Sequence, residues 1–332
     1  MNQIQQEFQQ AFTEAAVMTF QELCGFATTP EPIQSESDSP EMMVIAGMIG
    51  ITGASFEGSM NIGFSEVGFL KTMEKMLGEP HSEVNREIED GAAEFANIIF
   101  GQAKLKLNEN NHQFKPAIPC VIRAEELNTP DSANTIGRFL LRLPQGVAFL
   151  EISGKATSTV AVPESTQKPS ESTPKLDGQV LLSFVESVRE AFETQCHLKA
   201  EPQQPFKRSQ ENHYRFDIGS IIGITGTSFR GTLSIAFEAN AYLEFFYRMT
   251  NERHDLVTSE IADGASEMIN IIYGITKKKL NEQGHGLQMA LPKLVQGANM
   301  EMRHGSKKPS IAIPFVIEGG KFWVEFAFEN SE

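Results

Sequence analysis

Cysteine is scarce in this chain. Cys24, Cys120 and Cys196 are the only three, far apart and with no CxxC spacing. That leaves no zinc or thiol-redox motif, and a sparse, odd count suits a reducing cytoplasm. Positive charge is also short: 28 Lys and Arg stand against 43 Asp and Glu, a net charge of −15. Nucleic acid and anionic membrane surfaces both need a basic footprint, so neither is an expected partner. An acidic surface favours solubility and a partner with a basic patch. No apolar run approaches a membrane span. The first residues, MNQIQQEFQQAF, lack the positive and apolar regions of a signal peptide.

Catalytic and ligand motifs are missing as well. No HExxH or comparable spacing links the seven histidines. GITGASFEG lacks the Lys-Ser/Thr of a P-loop, and no GxSxG or Cys-His signature occurs. His81 matches His254 and His112 matches His285 between two similar segments. All four lie near expected helix ends, where a cap or surface role is the commoner one. The chain is expected to hold no metal or cofactor of its own.

What is present is a repeat. GITGASFEGSMNIGF (50–64) returns as GITGTSFRGTLSIAF (223–237), an offset of 173 residues. The match continues without a gap through 81–119 and 254–292. The period is a domain's length, too long for a solenoid unit. Phe20 and Cys24 have counterparts in Phe192 and Cys196, on helical patterns at the start of each copy. RFLLRLPQGVAFLEIS and SIAIPFVIEGGKFWVEFAF each read as a hairpin near the end of a copy. Between the copies lies a stretch rich in Ser, Thr, Pro and Lys, which reads as a flexible linker. The expected domains are 1–155 and 177–332, joined by a linker over 156–176. Helices mixed with hairpins indicate an α+β fold, a sheet layered with long helices, rather than a doubly wound parallel sheet.

The periodicity predicts a long helix from about Glu83 to Asn108, repeated in the second copy. Ile88, Ala92, Phe95, Ile99 and Ala103 share one stripe, as do Ile261, Ala265, Met268 and Ile272. Asp90, Glu94, Asn97, Gly101 and Lys104 oppose the first stripe; Asp263, Glu267, Asn270, Gly274 and Lys277 oppose the second. Glu94 and Asn97 are spaced i, i+3 and so are surface neighbours, as are Glu267 and Asn270. A solvated face should drift between duplicates, and Glu57, Met60 and Asn61 did become Arg230, Leu233 and Ser234. The Asp, Glu and Asn set did not change. Gly91 and Gly264 are expected inside the helix, where glycine costs about 1 kcal/mol against alanine. Either close packing within the chain or the close approach of a partner's backbone would account for them.

These residues resemble the CheC/CheX/FliY family of chemotaxis phosphatases. The family pattern is Asp or Ser, three residues, Glu, two residues, Asn, then about twenty residues and Pro. Asp90, Glu94, Asn97 and Pro119 follow it, and so do Asp263, Glu267, Asn270 and Pro292. The gap from Asn to Pro is about one residue short of the usual spacing. Each motif has its own leading helix and trailing hairpin, so two tandem CheX-like domains fit better than one CheC. CheX-like domains can form dimers, which leaves room for an intrachain pseudo-dimer or a homo-oligomer.

The resemblance implies a phosphatase acting on the aspartyl phosphate of a CheY-like response-regulator receiver, in chemotaxis or two-component signalling. An acyl phosphate is already reactive, so the task is to hold a water in line. A neutral carboxamide can do so without repelling the phosphoryl group, a role for Asn97 and Asn270. Glu94 and Glu267 would pair with a receiver lysine. Asp90, Asp263, Pro119 and Pro292 would support them, and Mg2+ would sit on the receiver. The alternative is a non-catalytic adaptor that binds receiver or signalling proteins.

Overall fold

A computed structural model of the chain describes residues 2–33, 42–53, 56–109, 114–130, 132–156, 178–209, 212–226, 229–306 and 308–330. The expected linker lies outside these residues apart from Ala156, as does His112. In the first copy, α1 (Gln3–Thr19) runs into a π turn (Phe20–Cys24). β1 (Pro30–Pro32), β2 (Met43–Thr52), β3 (Phe56–Phe64), α2 (Glu66–Leu77) and α3 (Asp90–Glu109) follow. β4 (Lys115–Pro116), β5 (Cys120–Leu127), β6 (Thr135–Arg142) and β7 (Val147–Ala156) complete the copy. The second copy repeats this with α4 (Gly178–Cys196), β8 (Glu201–Pro202), β9 (Phe206–Lys207), β10 (Phe216–Thr225) and β11 (Phe229–Phe237). It continues with α5 (Ala239–Thr250), α6 (Gly264–Glu282), β12 (Gln288–Met289), β13 (Lys293–His304), β14 (Ile311–Ile317) and β15 (Gly320–Asn330). The expected α+β layering and the duplicated segment are both present.

Alternation along the strands sorts the core. In β2, Ile45, Ile49 and Ile51 join the apolar cluster under α1 and α3, while Ala46 and Met48 point to the opposite face. β10 does the same: Ile218, Ile222 and Ile224 lie under α4 and α6, and Ile221 turns away. The short helices have clear ends. Ser65 caps α2, accepting from the Gly68 N–H at 3.3 Å. Gly78 (φ 81°) and Asn251 (φ 64°) end α2 and α5 in the left-handed region.

The strands form one 15-stranded antiparallel sheet in the order β1-β6-β7-β3-β2-β5-β13-β10-β11-β15-β14-β8. β5 and β13 join the copies, with Arg123 opposite Glu301 and Cys120 opposite His304. The sheet folds over at this seam, so β2 meets β10. The Thr52 and Thr225 hydroxyls, 173 residues apart in sequence, lie 2.7 Å from each other. A Cβ added to Gly50 would come within 2.9 Å of the Gly223 Cα. Residues related by the repeat offset therefore touch each other, as they do across a two-fold axis.

The inner faces share an apolar cluster that includes Met48 and Ile122 from one copy and Tyr214, Phe216 and Trp323 from the other. Two buried carboxylates sit among it. Lys293 of β13 pairs with Glu151 of β7, which also accepts from the Thr129 hydroxyl at 3.1 Å. Glu325 of β15 accepts from the Tyr214 hydroxyl at 2.7 Å. Among the described residues, no helix is long and apolar enough to cross a membrane.

Candidate functional site

Each motif begins at the first turn of its helix. α3 starts at Asp90 and not at Glu83. The apolar period extends upstream through Val84 and Ile88, but one tertiary bond and one local bond hold that backbone in a turn. The Arg123 guanidinium donates to the Val84 carbonyl at 2.9 Å, and the Asn85 side chain accepts from the Glu87 N–H at 3.0 Å. In the second copy the Gln296 amide donates to the Val257 carbonyl at 2.8 Å. Arg123 and Gln296, like Val84 and Val257, are related by the repeat. Bonds of the i to i+3 type, from Ala92 N–H to Glu89 and from Ala265 N–H to Ala262, lead into both helices.

Glycine explains how the helices seat. Gly91 and Gly264 lie in the first turn and not in the helix interior. A Cβ at Gly91 would lie 2.2 Å from the Met73 sulfur of α2. A Cβ at Gly264 would lie 2.8 Å from the Tyr242 hydroxyl of α5. Both residues are thus accounted for by packing within the chain. Gly47 of β2 is pressed harder, since an added Cβ would overlap the Ala92 carbonyl.

The expected stripes are buried: Ala92, Phe95, Ile99 and Ala103 in α3, and Ala265, Met268 and Ile272 in α6. Asp90, Glu94, Asp263 and Glu267 are exposed. Asn97 and Asn270 are only half-buried, not fully on the solvent side as expected. Each follows a buried residue, Ala96 or Ile269, and so occupies the edge of the packed stripe. The Asn270 Oδ1 is buried without a hydrogen-bond partner among the described residues.

One turn after each asparagine comes an exposed glycine, Gly101 or Gly274, and a Cβ added to either would meet nothing within 4 Å. These two glycines sit in helix interiors with no packing reason in the described chain. Their signal was in the sequence, on the same polar face and in both copies.

The prolines lie beside the seam. Pro119 precedes β5, and its carbonyl accepts from the Gly305 N–H at 2.8 Å. A Cβ added at Gly305 would sit 3.2 Å from Pro119 and 3.7 Å from Ala93, the residue before Glu94. Pro292 is half-buried and leads directly into Lys293 of β13.

The two sites differ in their electrostatics. At the first, the second copy reaches across. Arg303 donates to buried Glu89 at 2.7 Å and lies 3.4 Å from Asp90. Arg86 and Arg215 meet Glu301 at 3.5 and 3.1 Å. Partial burial pushes the Glu301 carboxyl up, but Arg123, Arg215 and Arg86 outweigh it and hold the group below the usual range. At the second site Glu89 and Arg123 are replaced by Ala262 and Gln296. Among the described residues, Asp263 has no ion pair.

The His285 side chain is buried with its ring edge-on to Phe229, and the His254 ring packs on Phe246. The cysteines are buried and free, and burial raises Cys24 to about 11 and Cys120 and Cys196 to about 12. At neutral pH these thiols stay protonated and are poor nucleophiles.

A sequence model of the chemotaxis phosphatase CheX matches residues 45–139 and 218–316, which include both motifs. No match was found among curated protein sequences. Solved structures similar to the chain include chemotaxis protein CheX from Vibrio vulnificus, 30% identical, with 46% of this chain and 99% of that one covered, at a TM-score of 0.44. A CheC-like superfamily protein from Shewanella sp. PV-4 is 28% identical over 46% of this chain and 99% of that one, at a TM-score of 0.44. A CheX–CheY complex with BeF3 and Mg2+ from Borrelia burgdorferi is 19% identical over 47% and 99%, at a TM-score of 0.39.

Proposed function

The chain belongs to the CheX family of chemotaxis phosphatases, and from that premise we propose that it hydrolyses the aspartyl phosphate of a CheY-like receiver domain. Two arms of the same helix design would do the work, one at Glu94 and Asn97 and one at Glu267 and Asn270. The observation that carries this reading is the face these residues share. In both copies an exposed glutamate, a half-buried asparagine and an exposed glycine follow one another along the opening turns of a helix.

The chemistry asks little of the protein covalently. A water oxygen attacks phosphorus, the P–O bond to the receiver's acyl oxygen breaks, and inorganic phosphate and a free carboxylate result. Asn97 and Asn270 hold that water in line. A carboxamide both accepts from and donates to water, and its neutrality spares the anionic phosphoryl group. Partial burial suits the role because it narrows the rotamers open to the carboxamide before the receiver docks. Glu94 and Glu267, both exposed, pair with a receiver lysine. Mg2+ belongs to the receiver, where it neutralises the phosphoryl oxygens. Asp90 and Asp263 supply negative charge at the helix start, which favours the helix dipole. Pro119 and Pro292 fix the chain where it enters the seam strands.

Gly101 and Gly274 support a docking face. Glycine there costs the helix about 1 kcal/mol, and the open space above it would let a partner's backbone lie close. The direct experiment mixes purified chain with a phosphorylated CheY-type receiver and follows loss of the phosphoryl group. Acceleration well above the receiver's own rate supports the phosphatase. A receiver that binds without faster dephosphorylation would leave an adaptor.

A further inference from the structure

Beside the first site, but separate from its helix face, a cavity of about 350 Å³ opens at the seam. Arg86 of the first copy and Arg208, Arg303, His304 and Lys308 of the second contribute to its wall. The carboxylates on that wall are Glu301 and Glu325. In a chain of net charge −15, a cationic cavity runs against the overall composition.

Among the described residues, the carboxylates are fewer than the cations. Glu325, fully buried, is held by the Tyr214 hydroxyl, by Ser310 and by Arg208 Nε at 3.4 Å. Glu301 is shared by Arg86, Arg123 and Arg215. Arg303 turns to Glu89 and Asp90. Among the described residues, with Lys308 exposed and without an ion pair, the positive charges of these groups (Arg86, Arg123, Arg208, Arg215, Arg303, Lys308) exceed the negative ones (Glu89, Asp90, Glu301, Glu325) by two.

Arg208 is the unusual member. Its side chain is only 10% exposed. It is fixed on three sides: the guanidinium lies 4.5 Å over the Tyr214 ring, Nη2 donates to the Met302 carbonyl at 2.7 Å, and Nε faces Glu325. The remaining nitrogen, Nη1, is buried with no hydrogen-bond partner. His304, its side chain 1% exposed, has Nε2 3.5 Å from the Glu325 carboxylate, and neither ring nitrogen makes a hydrogen bond among the described residues. A buried donor left unsatisfied costs about 1–3 kcal/mol, and more when charged. A guanidinium already locked in place loses little further freedom on meeting an acceptor.

We propose that this seam cavity binds a small phosphate-bearing anion. A phosphate group carries close to two negative charges at neutral pH and several acceptor oxygens, which matches both the charge excess among the described residues and the unpartnered Arg208 Nη1. The volume leaves room for a small organic body beyond the phosphate. Such a ligand would lean on Arg303 and Arg86, the residues that fasten the lead-in to α3.

Calorimetry on the full chain tests this directly, with inorganic phosphate as the probe and chloride at equal ionic strength as the control. One saturable phosphate site per chain is expected, weakened at least tenfold by Arg208→Gln. Should Arg208→Gln not fold, Lys308→Glu on the exposed rim decides: affinity falls at least tenfold with the melting temperature unchanged. Heat that never saturates, or phosphate affinity equal in the wild type and Lys308→Glu, would overturn the proposal. Neither outcome bears on the phosphatase reading, since no receiver is present.

Discussion

Gly101 and Gly274 make a prediction at the scale of single residues. Replacing both by alanine should stabilise the chain by about 1 kcal/mol per site, because each removes a glycine from a helix interior where an added Cβ has open space. The same change should slow dephosphorylation of a receiver, because the added methyl groups stand on the docking face. Denaturant titration and phosphate release measure the two effects, and a stabilised double variant with an unchanged rate would remove the glycines from the docking face. Gly91→Ala should go the other way, losing about 1–3 kcal/mol, because its methyl would collide with Met73. The sequence showed both pairs of glycines but did not separate them. Periodicity places a residue on a face of its helix; it does not say whether a neighbouring helix covers that face. The Glu and Asn positions were legible for a simpler reason, namely that duplication preserved them while neighbouring positions drifted.

At the scale of elements, the seam strands matter most. Lys293 and Glu151 form a buried pair contributed by opposite copies, with side chains 6% and 5% exposed. Lys293→Met should cost about 3–5 kcal/mol, because it leaves a buried carboxylate short of its main partner. Lys293→Met combined with Glu151→Leu should recover most of that loss, since an apolar pair of similar size often serves as well. A single variant within about 0.5 kcal/mol of the wild type would mean the pair is not what holds the seam.

The helices and the outer hairpins follow from local patterns: α2, α5, β6–β7 and β14–β15 lie where alternation and turn residues put them. β5 and β13 were not separately legible. β13 carries Gly297 and a left-handed Asn299 (φ 53°) next to a register shift against β10, which breaks the alternation. Its other neighbour, β5, comes from the opposite copy, and no local pattern encodes a partner so distant in sequence. The start of α3 was misplaced for a related reason, because bonds from Arg123 override the apolar period upstream of Asp90.

At the scale of the whole molecule, we propose that residues 1–155 and 177–332 each fold as a unit joined through 156–176. Limited proteolysis should cut first within 156–176, and the nicked protein should still elute as one particle. β5–β13 pairing and the shared cluster around Trp323 and Met48 hold the halves without the covalent link. A first cut inside α3, or separation of the halves on nicking, would contradict that organisation.

The claim that unites these scales is that two repeated carboxamides orient water on a docked receiver. The variant carrying both Asn97→Ala and Asn270→Ala tests it most directly, with receiver affinity and phosphate release measured on the same preparation. Water positioning acts in the transition state, while docking rests on Glu94, Glu267 and the surrounding face. The account therefore predicts that dephosphorylation falls about a hundredfold while receiver affinity and melting temperature barely move. A folded double variant that binds the receiver and releases phosphate at the wild-type rate would contradict it.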